Sequence, residues 1–113
     1  MSQILIVEDS KLEAEKLRKC LENKGFSIQI VGSGEEAEIR LKRSKPNLIF
    51  LDVILPGESG FELCRKLKTE PTTQGIPIVI FSTKDKQIDR TWGDMGGADA
   101  YLSKSSDEST ILQ

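Results

Sequence analysis

Five polar residues in this 113-residue chain stand where chemistry could be done: Glu8, Asp9, Asp52, Ser82 and Lys104. Each closes or follows a short apolar run, in ILIVED, NLIFLD, IPIVIFST and DAYLSK. Three carboxylates brought together repel one another, so such a group calls for a cation or for protons. The chain has no histidine. That removes imidazole acid–base work, imidazole metal ligation and a phosphohistidine on this chain. What remains is an all-oxygen ligand set, suited to a hard ion such as Mg2+ held by one or two carboxylates with water and phosphate oxygens. The Lys104 ammonium is a compact charge suited to a phosphate oxygen, and the Ser82 hydroxyl can donate to another. Asp52 then has the makings of a carboxylate nucleophile towards phosphorus, in a reaction that needs mainly positioning and charge neutralisation. Taken singly, each residue has a plainer reading: a strand-end Asp caps or turns the chain, and a lysine is solvated. The joint pattern, with these groups at the same end of four separate runs, favours a site.

A second chemistry competes for Asp52. In IVGSGEEAE, residues 30–38, Gly32, Gly34 and Ala37 fit the G-x-G-x-x-G/A dinucleotide fingerprint. That fingerprint wants an acid about 20 positions on, at the end of the next strand, to hold a ribose. Asp52 stands there. Against it, Glu35 and Glu36 fall in the first turn of the helix, where they satisfy its dipole and repel a pyrophosphate. The stretch then reads as a turn and helix start, capped by Ser33 or Gly34.

These groups need elements to position them. Strands are expected at about 3–8, 27–31, 47–52, 77–82 and 99–102. The first, third and fourth are apolar at nearly every position, the mark of strands covered on both faces in a parallel sheet. Between them, Ala14, Leu17 and Leu21 keep helical spacing, as do Phe61, Cys64 and Leu67, and Ile88, Trp92 and Met95. Ser10 reads as an N-cap and Gly25 as a helix stop. Strict alternation of strand and helix points to a doubly wound α/β fold, in which ligands bind beyond the carboxyl ends of the strands. If strands one and three are neighbours, with four and five beside three, all five groups converge on one edge.

Charge and composition exclude other classes. The 16 basic and 18 acidic residues are well mixed and leave a net charge of −2. No basic block suggests nucleic acid or anionic lipid. No apolar run approaches the roughly 18 residues of a membrane span, and MSQILIVEDS lacks the charged start and cleavage site of a signal peptide. Cys20 and Cys64 lie in helical patterns and read as small buried hydrophobes in a reducing compartment, with a disulfide as the minor reading. The expectation is one cytoplasmic domain over residues 1–113, with no membrane insertion and no nucleic-acid partner.

ILIVEDS, LIFLDVILPGESGFEL, IPIVIFST and GADAYLSKS together resemble the CheY-like receiver domain of two-component response regulators, over nearly the whole chain and in the family's order. DRTWGDMGGADAYLSK is most similar to the single-domain regulators of twitching motility and phototaxis. The resemblance implies a flavodoxin-like, doubly wound, five-stranded parallel sheet in the order 2-1-3-4-5. In that order the crevice lies between strands one and three, away from the Gly32–Gly34 loop. It implies that Asp52 is the phosphoacceptor, and that Glu8 and Asp9 are the acidic pair that holds Mg2+, for which Mn2+ substitutes. Asp52 itself and the backbone carbonyl of Ile54 complete the metal ligands. Ser82 matches the hydroxyl residue that hydrogen-bonds the phosphoryl group, Tyr101 the aromatic switch, and Lys104 the lysine that contacts a phosphoryl oxygen. Leu55-Pro56 and Gly60 match the turn after the acceptor.

The function so implied is that of a phosphoprotein in phosphorelay signal transduction. A histidine kinase or phosphotransfer protein donates from its phosphohistidine. Ser82 and Tyr101 then move, and the surface of the fourth helix, fifth strand and fifth helix changes for an output protein. Such a protein is a switch and not an enzyme, assisting at most its own phosphorylation and dephosphorylation. An oxidoreductase would need a substrate domain, and an aspartyl phosphatase would want a second Asp where Ile54 stands. A receiver-shaped module that signals without phosphorylation is the other reading. The chain also departs from the family's pattern. Ser105 replaces the usual proline after Lys104, where a cis bond would cost about 3 kcal/mol. Thr83 replaces the usual alanine, and Ile54 and Lys84 occupy positions that tune dephosphorylation. With nine residues after Lys104, including the cap residue Ser106, the last helix is expected to be short.

Overall fold

Uninterrupted apolar runs are stable as strands only where both faces are covered. The computed structural model, which describes residues 2–83, 91 and 94–104, has that arrangement. The strands β1 (Gln3–Val7), β2 (Ser27–Val31), β3 (Leu48–Leu51), β4 (Ile78–Ser82) and β5 (Ala100–Ser103) form one sheet. The helices α1 (Lys11–Glu22), α2 (Gly34–Arg43) and α3 (Gly60–Thr69) follow β1, β2 and β3 in turn. Every strand pair is parallel and the order is β2-β1-β3-β4-β5, the doubly wound flavodoxin-like arrangement expected from the sequence.

Side chains alternate along each strand and so build two cores. Leu5, Val7, Ile49 and Leu51 pack with Leu41, Leu63 and Leu67 of α2 and α3. Ile4, Ile6 and Phe50 pack on the other face with Leu17 and Leu21 of α1 and with Phe81. The rings of Phe50 and Phe81 meet edge to face at 6.2 Å. The register sets Val7 beside both Val31 and Leu51, so β1, β2 and β3 end level.

The helices α1, α2 and α3 start the same way. Ser10, Ser33 and Ser59 are N-caps whose hydroxyls accept the N–H groups of Glu13, Glu36 and Glu62. Each is a Ser-x-x-Glu sequence, the capping-box pattern. Ser33 rather than Gly34 is therefore the cap of α2, and Ser59 is a cap that the apolar spacing did not disclose. Gly25 ends α1 with φ of 89°, the left-handed conformation that glycine adopts without strain.

Some spacings resolve differently. In α3 the buried residues are Gly60, Leu63, Cys64 and Leu67, while Phe61 is only half-buried. The sheet and α2 flank α3, and Leu63 lies in the core they share. Cys64 is buried, Cys20 is half-buried, and neither is in a disulfide. Met95 is exposed, so it does not continue an apolar face; Ile88 and Trp92 lie outside the described residues. So do Lys84, the Lys104–Ser105 bond and the expected short last helix.

Candidate functional site at the carboxyl edge of the sheet

Three side chains are aimed at one point by the same backbone device. Glu8, Asp52 and Lys104 each follow directly on a strand, and each donates its N–H to the last residue of the neighbouring one. Glu8 bonds the Val31 carbonyl (3.0 Å), Asp52 the Val7 carbonyl (3.0 Å) and Lys104 the Ser82 carbonyl (3.0 Å). The ladder thus runs one residue past the strands and carries the three groups together. The Lys104 ammonium donates to Glu8 Oε1 and, at 3.1 Å, to Asp52 Oδ2. Glu8 and Asp52 are each only 6% exposed.

Local bonds fix the remaining oxygens. Glu8 Oε2 accepts the Ser10 N–H at 3.1 Å, so the cap of α1 also holds the acid. Asp52 Oδ1 accepts the Ile54 N–H at 3.4 Å, which places the residue-54 backbone at the carboxylate. Gly60 seats α3 directly behind it: its N–H bonds the Val53 carbonyl at 2.8 Å. A Cβ on Gly60 would lie 1.9 Å from the Asp52 carbonyl oxygen, so only glycine fits.

Two acids share one base here, and the titration of Glu8 and of Lys104 reflects it. Burial pushes the Glu8 carboxyl up from its ordinary value, and the bonds from Lys104 and Ser10 only partly offset that. Burial also works against a charged Lys104, but hydrogen bonds to Glu8 and Asp52 outweigh it and raise the ammonium above its ordinary value. An ammonium facing two carboxylates is held charged, while each carboxylate has only part of a counter-ion.

The other residues singled out in the sequence fall around this pair. Ser82 is fully buried at the end of β4. Tyr101 is half-buried in β5. Ile54 is exposed beside the site, and Thr83 is exposed after Ser82. Asp9, next to Glu8 in sequence, is exposed, because the chain leaves the sheet there to enter α1. Among the described residues no three Asp, Glu or Cys side chains are grouped to hold a metal ion. The donor set suits a hard ion in kind, all oxygen and anionic, while the Lys104 ammonium now bonds two of its carboxylates. Glu13, in the first turn of α1, also lines the site, and nothing in the sequence pattern singled it out.

The dinucleotide reading does not survive. The Gly32 N–H is bonded to Glu36 Oε2 and the Glu36 N–H to Ser33 Oγ. Two amides of the would-be pyrophosphate cradle are thus satisfied by the chain itself, in the loop and helix start that follow the edge strand β2. The cavity at Asp52 is about 10 Å³, far below the roughly 300 Å³ of a small organic ligand site. No helix among the described residues is long and apolar enough to cross a membrane.

Residues 4–113 match the family described as the response regulator receiver domain. Over all 113 residues the chain is 37% identical to the protein PilH of Pseudomonas aeruginosa, and it covers 93% of that protein. Its structure is similar to the phosphorylated cyanobacterial phytochrome response regulator RcpA, with a TM-score of 0.88 at 30% identity over 99% of this chain and 86% of that one. It is similar also to the Mn2+-bound form of response regulator Rcp1, with a TM-score of 0.88 at 27% identity over 99% of this chain and 87% of the other. Other curated relatives, DNA-binding response regulators among them, are longer, and the chain spans less than half their length.

Proposed function

This chain belongs to the response regulator receiver domain family, and from that premise we propose that Asp52 accepts a phosphoryl group from the phosphohistidine of a histidine kinase or phosphotransfer protein. One observation carries the reading: a buried carboxylate and the Lys104 ammonium meet at the carboxyl edge of the sheet, in reach of solvent and of a donor. An Asp52 oxygen attacks phosphorus while the donor's N–P bond breaks, and the leaving imidazole nitrogen keeps the electron pair. Lys104, already charged and bonded to Asp52, meets the growing charge on the phosphoryl oxygens without reorganising far.

Glu8, Asp9, Asp52 and the backbone carbonyl of Ile54 are the residues that would hold a divalent ion. Mg2+, or Mn2+ in its place, would neutralise phosphoryl charge when bound. Such an ion would compete with Lys104 for Glu8 and Asp52. The similarity to a Mn2+-bound regulator and to a phosphorylated one supports both halves of the proposal.

The acyl phosphate brings charge and strong acceptors to the ends of β4 and β5. Ser82, fully buried beside it, turns its hydroxyl to the phosphoryl group, and Tyr101 turns inward from its half-buried position. The altered surface of β5 and the helices around it is read by an output protein. The chain is in this reading a cytoplasmic receiver domain over residues 1–113, a switch and not an enzyme. Its net charge of −2 gives no basic excess to favour nucleic acid. The test is spectroscopic. Beryllofluoride with Mg2+ should shift the amide signals of Asp52, Ser82 and Lys104 in the wild type and leave Asp52→Asn unchanged. Equal shifts in both proteins would place the reactive site elsewhere.

A further inference from the structure

The strand that carries Lys104 is held from a distance. β5 is a four-residue edge strand, exposed at Ala100 and no more than half-buried at the next three residues. Apolar burial therefore does little to fix it. The ladder to β4 holds it along one side, and polar contacts fix its entry. The Asp99 N–H donates to the Ile78 carbonyl at 2.8 Å, and Asp99 Oδ2 accepts the Ile78 N–H at 2.8 Å. The same oxygen receives Lys68 Nζ of α3 at 2.8 Å. Lys68 also donates to the carbonyls of Ile76 (2.8 Å) and Gln74 (3.4 Å), in the turn before β4.

The lysine stem is part of the fit. Gly97 has φ of 90°, and a Cβ there would lie 3.2 Å from both Cβ and Cγ of Lys68. Beside it, Cys64 Sγ donates to the Gly96 carbonyl at 3.7 Å. One ammonium thus ties α3, the turn before β4 and the entry to β5. The Lys68 side chain is only 15% exposed, unlike that of an ordinary surface ion pair. Burial favours a neutral Asp99, yet the bonds from Lys68 and the Ile78 N–H outweigh it and hold the carboxyl below its ordinary value.

We propose that Lys68 and Asp99 are positioning residues that fix the entry of β5 and so hold the Lys104 ammonium at Glu8 and Asp52. Lys104 lies five residues beyond Asp99, along an edge strand whose ladder partner is β4 alone. Freedom at the entry becomes freedom at the ammonium. Its effect on phosphorylation rests on the reading of Asp52 as acceptor, but its effect on Lys104 does not.

Two variants separate the pieces. Lys68→Met keeps the stem against Gly97 and removes the charge. Asp99→Asn keeps an oxygen that can accept the Ile78 N–H and removes the negative charge opposite Lys68. The readouts are the exchange-protected ammonium signal of Lys104 by 15N NMR, in the unphosphorylated protein, and the rate of labelling by acetyl phosphate with Mg2+. In both variants the Lys104 signal should broaden through faster exchange and labelling should slow about ten-fold, with Lys68→Arg restoring both. Variants that melt earlier but keep the Lys104 signal and the labelling rate would overturn the proposal, leaving the pair a purely structural clamp. Asp99→Asn, at a half-exposed position, carries the test if Lys68→Met does not fold. Wild type that takes no label at Asp52 would refute the acceptor reading, and the Lys104 signal alone would then decide the clamp.

Discussion

Replacing Lys104 by methionine removes the ammonium and keeps the stem. Glu8 and Asp52, each 6% exposed, are then left with no cation between them. Removing one partner of a buried pair costs about 3–5 kcal/mol. Here the lower end is expected, about 3 kcal/mol at pH 8, because Glu8 and Asp52 keep their bonds from the Ser10 and Ile54 N–H groups. Glu8 already titrates above its ordinary 4.5, chiefly through burial, and without the ammonium it goes higher. Between 4.5 and that raised value the folded variant binds more protons than its unfolded chain. Its stability therefore rises as pH falls through that window, by up to about 1.4 kcal/mol per unit. The wild type shows the opposite limit at high pH. Lys104 is raised above 10.5, so its pairing is fully present below that value and is lost as pH climbs through the folded one. Urea unfolding of both proteins at pH 8 and pH 5 reads the difference. The gap should shrink towards pH 5, and Mg2+ should stabilise the variant more than the wild type, since it no longer competes with an ammonium. A gap that is the same at both pH values, or no gap at pH 8, would refute the shared-cation account of the site.

Other consequences are separately measurable. Gly60→Ala puts a methyl group 1.9 Å from the Asp52 carbonyl oxygen, and should cost about 3 kcal/mol in denaturant unfolding; a loss under about 1 kcal/mol would show that α3 can step back freely. Ser59→Ala removes the cap of α3, with an expected loss of about 1 kcal/mol, checked by the same assay. The ring signals of Tyr101 should shift when beryllofluoride and Mg2+ are added, and stay fixed in Asp52→Asn; an immobile ring in the wild type would remove Tyr101 from the switch.

Much of the site was legible because its residues punctuate apolar runs. ILIVED and NLIFLD are hydrophobic through their last strand residue and acidic immediately after, and parallel pairing carries both acids to one edge. The limits of legibility are physical too. Glu8 and Asp9 are adjacent in sequence, yet one continues the β1 ladder and the other leaves it, so one is buried and the other exposed. The carboxylates were expected to need a cation, and the described structure supplies its own from 52 residues past Asp52. Phe61 matched the helical period but Leu63 took the core position, because the sheet and α2, not the helix alone, decide which face is covered. The Gly32–Gly34 fingerprint matched its pattern in full and failed on hydrogen bonds, since the Glu36 carboxylate and the Ser33 hydroxyl already take the Gly32 and Glu36 N–H groups. Lys68 and Asp99 gave no signal, because their contact joins residues 31 apart through a turn whose path the apolar pattern does not encode.

Mass spectrometry after treatment with acetyl phosphate and Mg2+ tests the central claim most directly. The phosphoacceptor reading requires one added phosphoryl group on the peptide that carries Asp52 and none in the Asp52→Asn protein. Equal modification of both proteins, or a label on any other carboxylate, would contradict it.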